Sequence, residues 1–139
     1  MFKPTSLRTF VVLLAAGALS LASTGCHKAD PTPTAPVSPP HDYQVEYRVT
    51  SATDPAANSI FYSNETGNID QVGTTVLPYS RHFTRNMKGG DEVSVSATLT
   101  NATAGSEITT HILLDSKEVK TVVARGAQAQ AICVYVIGQ

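Results

Sequence analysis

The sequence predicts an all-β domain, a two-sheet antiparallel sandwich of about seven to eight strands with immunoglobulin-like architecture, on three observations. Apolar and polar residues alternate with period two through most of the chain after Asp42, as strands with one buried face require. The apolar positions are rich in β-branched side chains, and no window places apolar residues at i, i+3, i+4 and i+7. Turn-forming clusters recur at roughly ten-residue spacing: "DPAAN", "NETGN", "KGGDE", "NATAGS", "DSKE" and "RGAQ". The domain expected over residues 42–139 is long enough for one hydrophobic core.

Ahead of that domain the chain reads as an export segment and a spacer. "MFKPTSLRT" carries Lys3 and Arg8 with no acid, and the apolar run from Phe10 to Leu21 is too short for the roughly 20 residues of a membrane-spanning helix. Ala22, Ser23, Thr24 and Gly25 then lead to Cys26. This stretch resembles a bacterial lipoprotein signal, which implies a signal peptide over residues 1–25 and diacylglyceryl attachment at Cys26. Ser23 stands where such signals commonly carry leucine. Residues 26–41, rich in proline, threonine and alanine, lack apolar periodicity and read as a semi-rigid tether of about 3 Å per residue. Ordinary secretion with cleavage near Ala22, or a short uncleaved anchor, are the other readings of the same segment.

The strands follow in order. "YQVEYRVT" sets Tyr43, Val45, Tyr47 and Val49 on one face. "SIFYS" (59–63) and "TTVLPYS" (74–80) flank the turn-rich "NETGN", and "RHFTRNM" is also β-like. "EVSVSATLT" turns Val93, Val95, Ala97 and Leu99 inward, and "EITTHILLD" does the same with Ile108, Thr110, Ile112 and Leu114. The hairpin signal at Asp115–Glu118 leads into "VKTVVA", and "AQAICVYVIG" closes the chain.

Taken together, "VEYRVT", "IFYSNETGNIDQV", "TVLPYSRHF", "VSVSATLT", "ITTHILLDSKEV" and "AQAICVYV" resemble the extracytoplasmic domain of the mycobacterial membrane protein small (MmpS) family over residues 43–137. The resemblance implies a small β-sandwich accessory protein working beside a resistance-nodulation-division (RND) transporter that exports lipids or siderophores. Tyr79 stands where the family's corner tends to have tryptophan, and Ser116 where its hairpin has glycine. Thr110 stands where a family cysteine would pair with Cys133. Lipid at Cys26 would replace the family's N-terminal transmembrane helix.

Charge and motifs narrow the function. Cleavage before Cys26 removes Lys3 and Arg8, taking the 10 basic side chains to 8 against 11 acidic ones, a net charge of −3. That is unlike a nucleic-acid binder, which needs clustered Lys and Arg. With Cys26 acylated, Cys133 has no disulfide partner, and its apolar setting "AICVYV" disfavours a thiolate nucleophile. His27, His41, His82 and His111 are scattered, with no second ligand at metal spacing. A site through His82 and His111 would need them to meet across strands. No Gly-x-Ser-x-Gly elbow is present. The expectation is therefore a protein without catalysis, cofactor or metal, lipid-anchored in a bacterial envelope and facing periplasm or exterior. An adhesion or glycan-binding lipoprotein is the alternative. Pro78 marks "LPYS" as a strand-end corner, where Tyr79, Arg81 and His82 are candidate partner-contact residues, tyrosine and arginine being enriched at interface hot spots. The other reading of Tyr79 is packing over the end of the sandwich.

Overall fold

A computed structural model describes residues 39–139; the expected signal peptide, Cys26 and nearly all of the expected tether lie outside the described residues. The described chain is all β, with nine strands and no helix. They are β1 (His41–Thr50), β2 (Ala56–Ser63), β3 (Ile69–Val72), β4 (Thr75–Val76), β5 (Tyr79–Met87), β6 (Glu92–Leu99), β7 (Glu107–Leu114), β8 (Lys117–Arg125) and β9 (Gln130–Val136). Two antiparallel sheets pack as a sandwich. One has the order β5-β1-β7-β8, and the other β3-β2-β6-β9 with β4 also paired to β2.

The period-two pattern sorts residues as expected where a strand is central. Val45, Tyr47 and Val49 of β1 are buried, as are Val93, Val95, Ala97 and Leu99 of β6 and Ile108, Thr110, Ile112 and Leu114 of β7. The opposite faces carry mainly polar side chains, with Leu113 of β7, beside the irregularity at Ile112–Leu113, a buried exception, so each sheet has one mainly apolar face to hide and the two hide each other's. Tyr47 lies at the middle of this layer. Its ring centroid is 5.5 Å from that of Phe83 and 5.9 Å from that of Tyr62. Its hydroxyl lies 2.8 Å from Ser63 Oγ and donates to the Ser63 carbonyl at 3.0 Å, while the Ser94 N–H is held by Ser63 Oγ. A polar knot in the core thus ties β1 of one sheet to β2 and β6 of the other.

Two departures from the sequence reading have local causes. The stretch expected as one strand over 74–80 is divided: Thr75 and Val76 pair with β2, the chain breaks at the cis Leu77–Pro78 peptide, and Tyr79 and Ser80 open β5 against β1. Pro78 has no N–H for a ladder, so the chain changes sheets there. The strand β3 was not expected. Its four residues lie at an edge with only Val72 packed on the core, too little burial to leave an apolar period. The β7–β8 hairpin uses a two-residue loop, Asp115 and Ser116, with φ of 51° and 66°. Positive φ at both central residues is the form that matches the twist of paired strands. Asp115 is fastened to β1 by bonds between its N–H and the Gln44 carbonyl and between the Gln44 N–H and Asp115 Oδ1, each 2.9 Å.

Candidate functional site

Alternation along β5 decides what the three corner residues can do together. Tyr79, Arg81, Phe83, Arg85 and Met87 share the side turned toward the second sheet, and Ser80, His82, Thr84 and Asn86 the outer side. Tyr79 and Arg81 are therefore neighbours, and His82 points away from both. Tyr79 is half-buried and packs on the core, so the corner has a structural role as well as a surface.

Arg81 bridges the seam between β5 and the β2–β3 hairpin. Its Nη2 lies 2.9 Å from Glu65 Oε1, its guanidinium carbon sits 5.9 Å from the Tyr62 ring centroid, and its Nε is buried without a hydrogen-bond partner. Burial pushes the Tyr79 phenol above its ordinary pKa, and the Tyr62 hydroxyl adds to this, while Arg81 pulls the other way. Further along the seam, Arg85 donates to the Glu92 carbonyl at 3.0 Å. Its guanidinium lies so close to Gly67 that a Cβ there would come within 2.7 Å of Nη2. Two arginines, two tyrosines and Glu65 thus form a semi-exposed, pre-positioned strip along one side of the sandwich. Glu65 and Tyr62 escaped the sequence reading because they sit 14 or more positions from the corner and reach it only through the pairing of the sheets.

His82 belongs to a different cluster, on the outer face of the first sheet. There Glu46 of β1 accepts from both Nε and Nη2 of Arg48, accepts from Ser80 Oγ at 3.2 Å and lies 3.5 Å from His82 Nε2. Burial would raise the Glu46 pKa, but Arg48, His82 and Ser80 together bring it below the ordinary value. Ser80 Oγ is 3.0 Å from the same His82 Nε2. A hydrolase triad needs the serine and the carboxylate on opposite ring nitrogens. With both on Nε2, the His82 ring cannot relay a proton between them.

His111 lies on that face too, its Nδ1 2.7 Å from Glu118 and 3.1 Å from Thr121. Its hydrogen bond and that of Thr121, the larger effect, lower the Glu118 pKa. The β1 strand runs between β5 and β7, so His82 and His111 do not meet. Among the described residues no group of three His, Cys, Asp or Glu is placed to hold a metal ion. Cys133 is free, buried and raised in pKa by that burial, with the Thr110 hydroxyl opposing. No helix among the described residues is long and apolar enough to cross a membrane. A shallow groove of about 450 Å³ lies at the loop end between β6–β7 and β8–β9, lined by the hydroxyls and amides of Thr98, Thr100, Asn101, Gln128 and Gln130 together with Leu99 and three alanines.

Comparison of the chain with models of known protein families and with curated proteins finds no match.

Proposed function

We propose that this protein is a non-catalytic lipoprotein of a bacterial envelope, anchored through Cys26, that holds its β-sandwich off the membrane on the 26–41 tether and docks to another envelope protein. The observation that carries the docking reading is the Tyr79–Arg81 strip. An arginine already held against an aromatic ring and a carboxylate, with its side chain still part-exposed, meets a second surface at little cost in side-chain entropy. The resemblance to the MmpS family makes an RND exporter of lipids or siderophores the partner of this reading, and an immunoglobulin-like description of the sandwich goes with it. His82, on the other face, has no part in that contact.

The experiment has two arms. Cys26→Ser should abolish labelling by a fatty-acid analogue and release the protein from the membrane fraction; unchanged labelling and partitioning overturn the anchor. Arg81→Ala should weaken co-purification with the transporter while shifting stability by no more than about 1 kcal/mol, as for an exposed ion pair. Retained co-purification removes the strip from the contact. Arg81 is a cleaner probe than Tyr79, whose ring also packs on the core.

The groove at the β6–β7 and β8–β9 loops favours a second reading, a module binding a neutral, hydroxyl-rich ligand such as a glycan, because its lining is uncharged. Titration with soluble glycans separates the two: saturable binding lost in Asn101→Ala supports this reading over the first.

A further inference from the structure

The outermost strand of the second sheet, β9, pairs only with β6 among the described residues. Its sequence, QAICVYV, has no charged residue, and its register against β6 runs unbroken from Gln130 to Val136. The other edges differ. Strand β5 carries Arg81, His82 and Arg85; β8 carries Lys117, Glu118, Lys120 and Arg125; β3 carries Asp70. Charges, bulges and prolines are how open edges avoid pairing with other strands, and β9 has none of them.

Which backbone groups it leaves open follows from its last bonds. The Ile137 N–H donates to the Asp91 carbonyl, and the Ile137 carbonyl accepts from the Gly90 N–H. Ile137 therefore faces β6, and by two-residue alternation so do Tyr135, Cys133 and Ala131. Gln130, Ile132 and Val134 turn their N–H and C=O groups to the open side, and so does the Val136 N–H, while the Val136 carbonyl accepts from the Gln139 N–H at 3.4 Å. The side chains of Ile132 and Val134 are 56% and 40% exposed on the outer face of the sheet. Through Ser96, Ile132 is in register with Phe61, itself 39% exposed. The strand thus offers unsatisfied backbone and apolar side chains together.

We propose that β9 is a self-association edge, pairing antiparallel with β9 of a second copy of this chain about a two-fold axis at Cys133. The strand is its own complement in that register. Ile132 comes opposite the second copy's Val134, and Gln130 opposite its Val136, so exposed apolar side chains meet across the axis and no like charges are opposed. Pairing through β5 or β8 instead would bring cationic strands edge to edge. The two second sheets would join into one continuous sheet, with the Phe61–Ile132 row extended across the axis.

The test is sedimentation equilibrium of the full chain in a density-matched mild detergent over a dilution series. The expected result is a mass of two chains that falls to one on dilution. Val134→Pro removes an N–H that points to solvent in a single copy and into the new ladder in the pair, so it should leave the thermal midpoint near that of the parent and give one chain at every concentration. Should Val134→Pro lose its fold, Ile132→Lys, which changes an exposed side chain only, serves in its place with the same expected mass. A parent protein that stays a single chain up to about 100 µM, weak even for a transient dimer, overturns the proposal. So does a dimer that persists in the folded variant.

Discussion

Thr110 is fully buried, and its Oγ1 makes no hydrogen bond of ordinary geometry. A buried hydroxyl without a partner costs about 1–3 kcal/mol, so Thr110→Val, which keeps the shape and removes the hydroxyl, should raise stability by about 1 kcal/mol in urea denaturation. A loss of stability would mean that Thr110 has a partner, with the Cys133 thiol, whose pKa the Thr110 hydroxyl lowers, as the candidate. Tyr47 makes the opposite case, a buried hydroxyl fully used. Burial raises its pKa to about 12, with the Ser63 hydrogen bond opposing. The phenol of the unfolded chain loses its proton near the ordinary value of 10.0. The folded protein holds that proton until about 12, so the Tyr47 contribution is complete below pH 10.0 and disappears as the pH climbs through that interval. Tyr47→Phe should lower stability at neutral pH by about 1–2 kcal/mol, from the lost bonds to Ser63. It should also flatten the fall in stability across that alkaline interval, which a series of urea midpoints against pH would read directly.

The β7–β8 hairpin carries a residue at odds with its turn. Ser116 has a φ of 66°, a left-handed conformation in which a Cβ meets the following carbonyl at a cost of about 1 kcal/mol. Glycine has no such cost, and among the described residues the side chain of Ser116 has no hydrogen-bond partner that the change would lose. Ser116→Gly should therefore stabilise the protein by about 1 kcal/mol, less the added entropy of the unfolded chain. Asp115→Gly should not, because its carboxylate also accepts from the Gln44 N–H. Comparing the two variants by thermal melting separates backbone strain from side-chain bonding. This hairpin was readable from "DSKE", as β1, β6 and β7 were from their alternation, because one buried face writes its period into the sequence. Edge elements write less. The short strands β3 and β4 bury little, and the split of 74–80 at Pro78 depends on which sheet each half joins. The candidate corner shows the same limit. That Tyr79 and Arg81 share a face, with His82 opposite, follows from alternation alone, whereas their union with Tyr62 and Glu65 needs the packing of one sheet on the other.

At the scale of the domain, one core cluster draws on both sheets: Tyr47, Val49, Ile108 and Ile112 from the first, and Ile60, Val93, Val95 and Cys133 from the second. Neither sheet has another place to bury its apolar face, so separating them exposes both faces at once. The hydrogen bonds from Tyr47 to Ser63, and from the Ser94 N–H to the same side chain, add a polar tie across the interface. Loss of that tie would leave buried polar groups unpaired, which makes partial opening costly. The domain should therefore unfold in a single transition. Far-UV circular dichroism, which reports all the strands, and the near-UV tyrosine signal, which reports the packed Tyr47–Tyr62–Phe83 cluster, should give the same urea midpoint. Among the described residues the one cysteine is free, so no covalent link holds the sheets together, and reductant should leave the midpoint where it is. A tyrosine signal lost well before the strand signal would show that the sheets part before they melt, and would sink the single-core account.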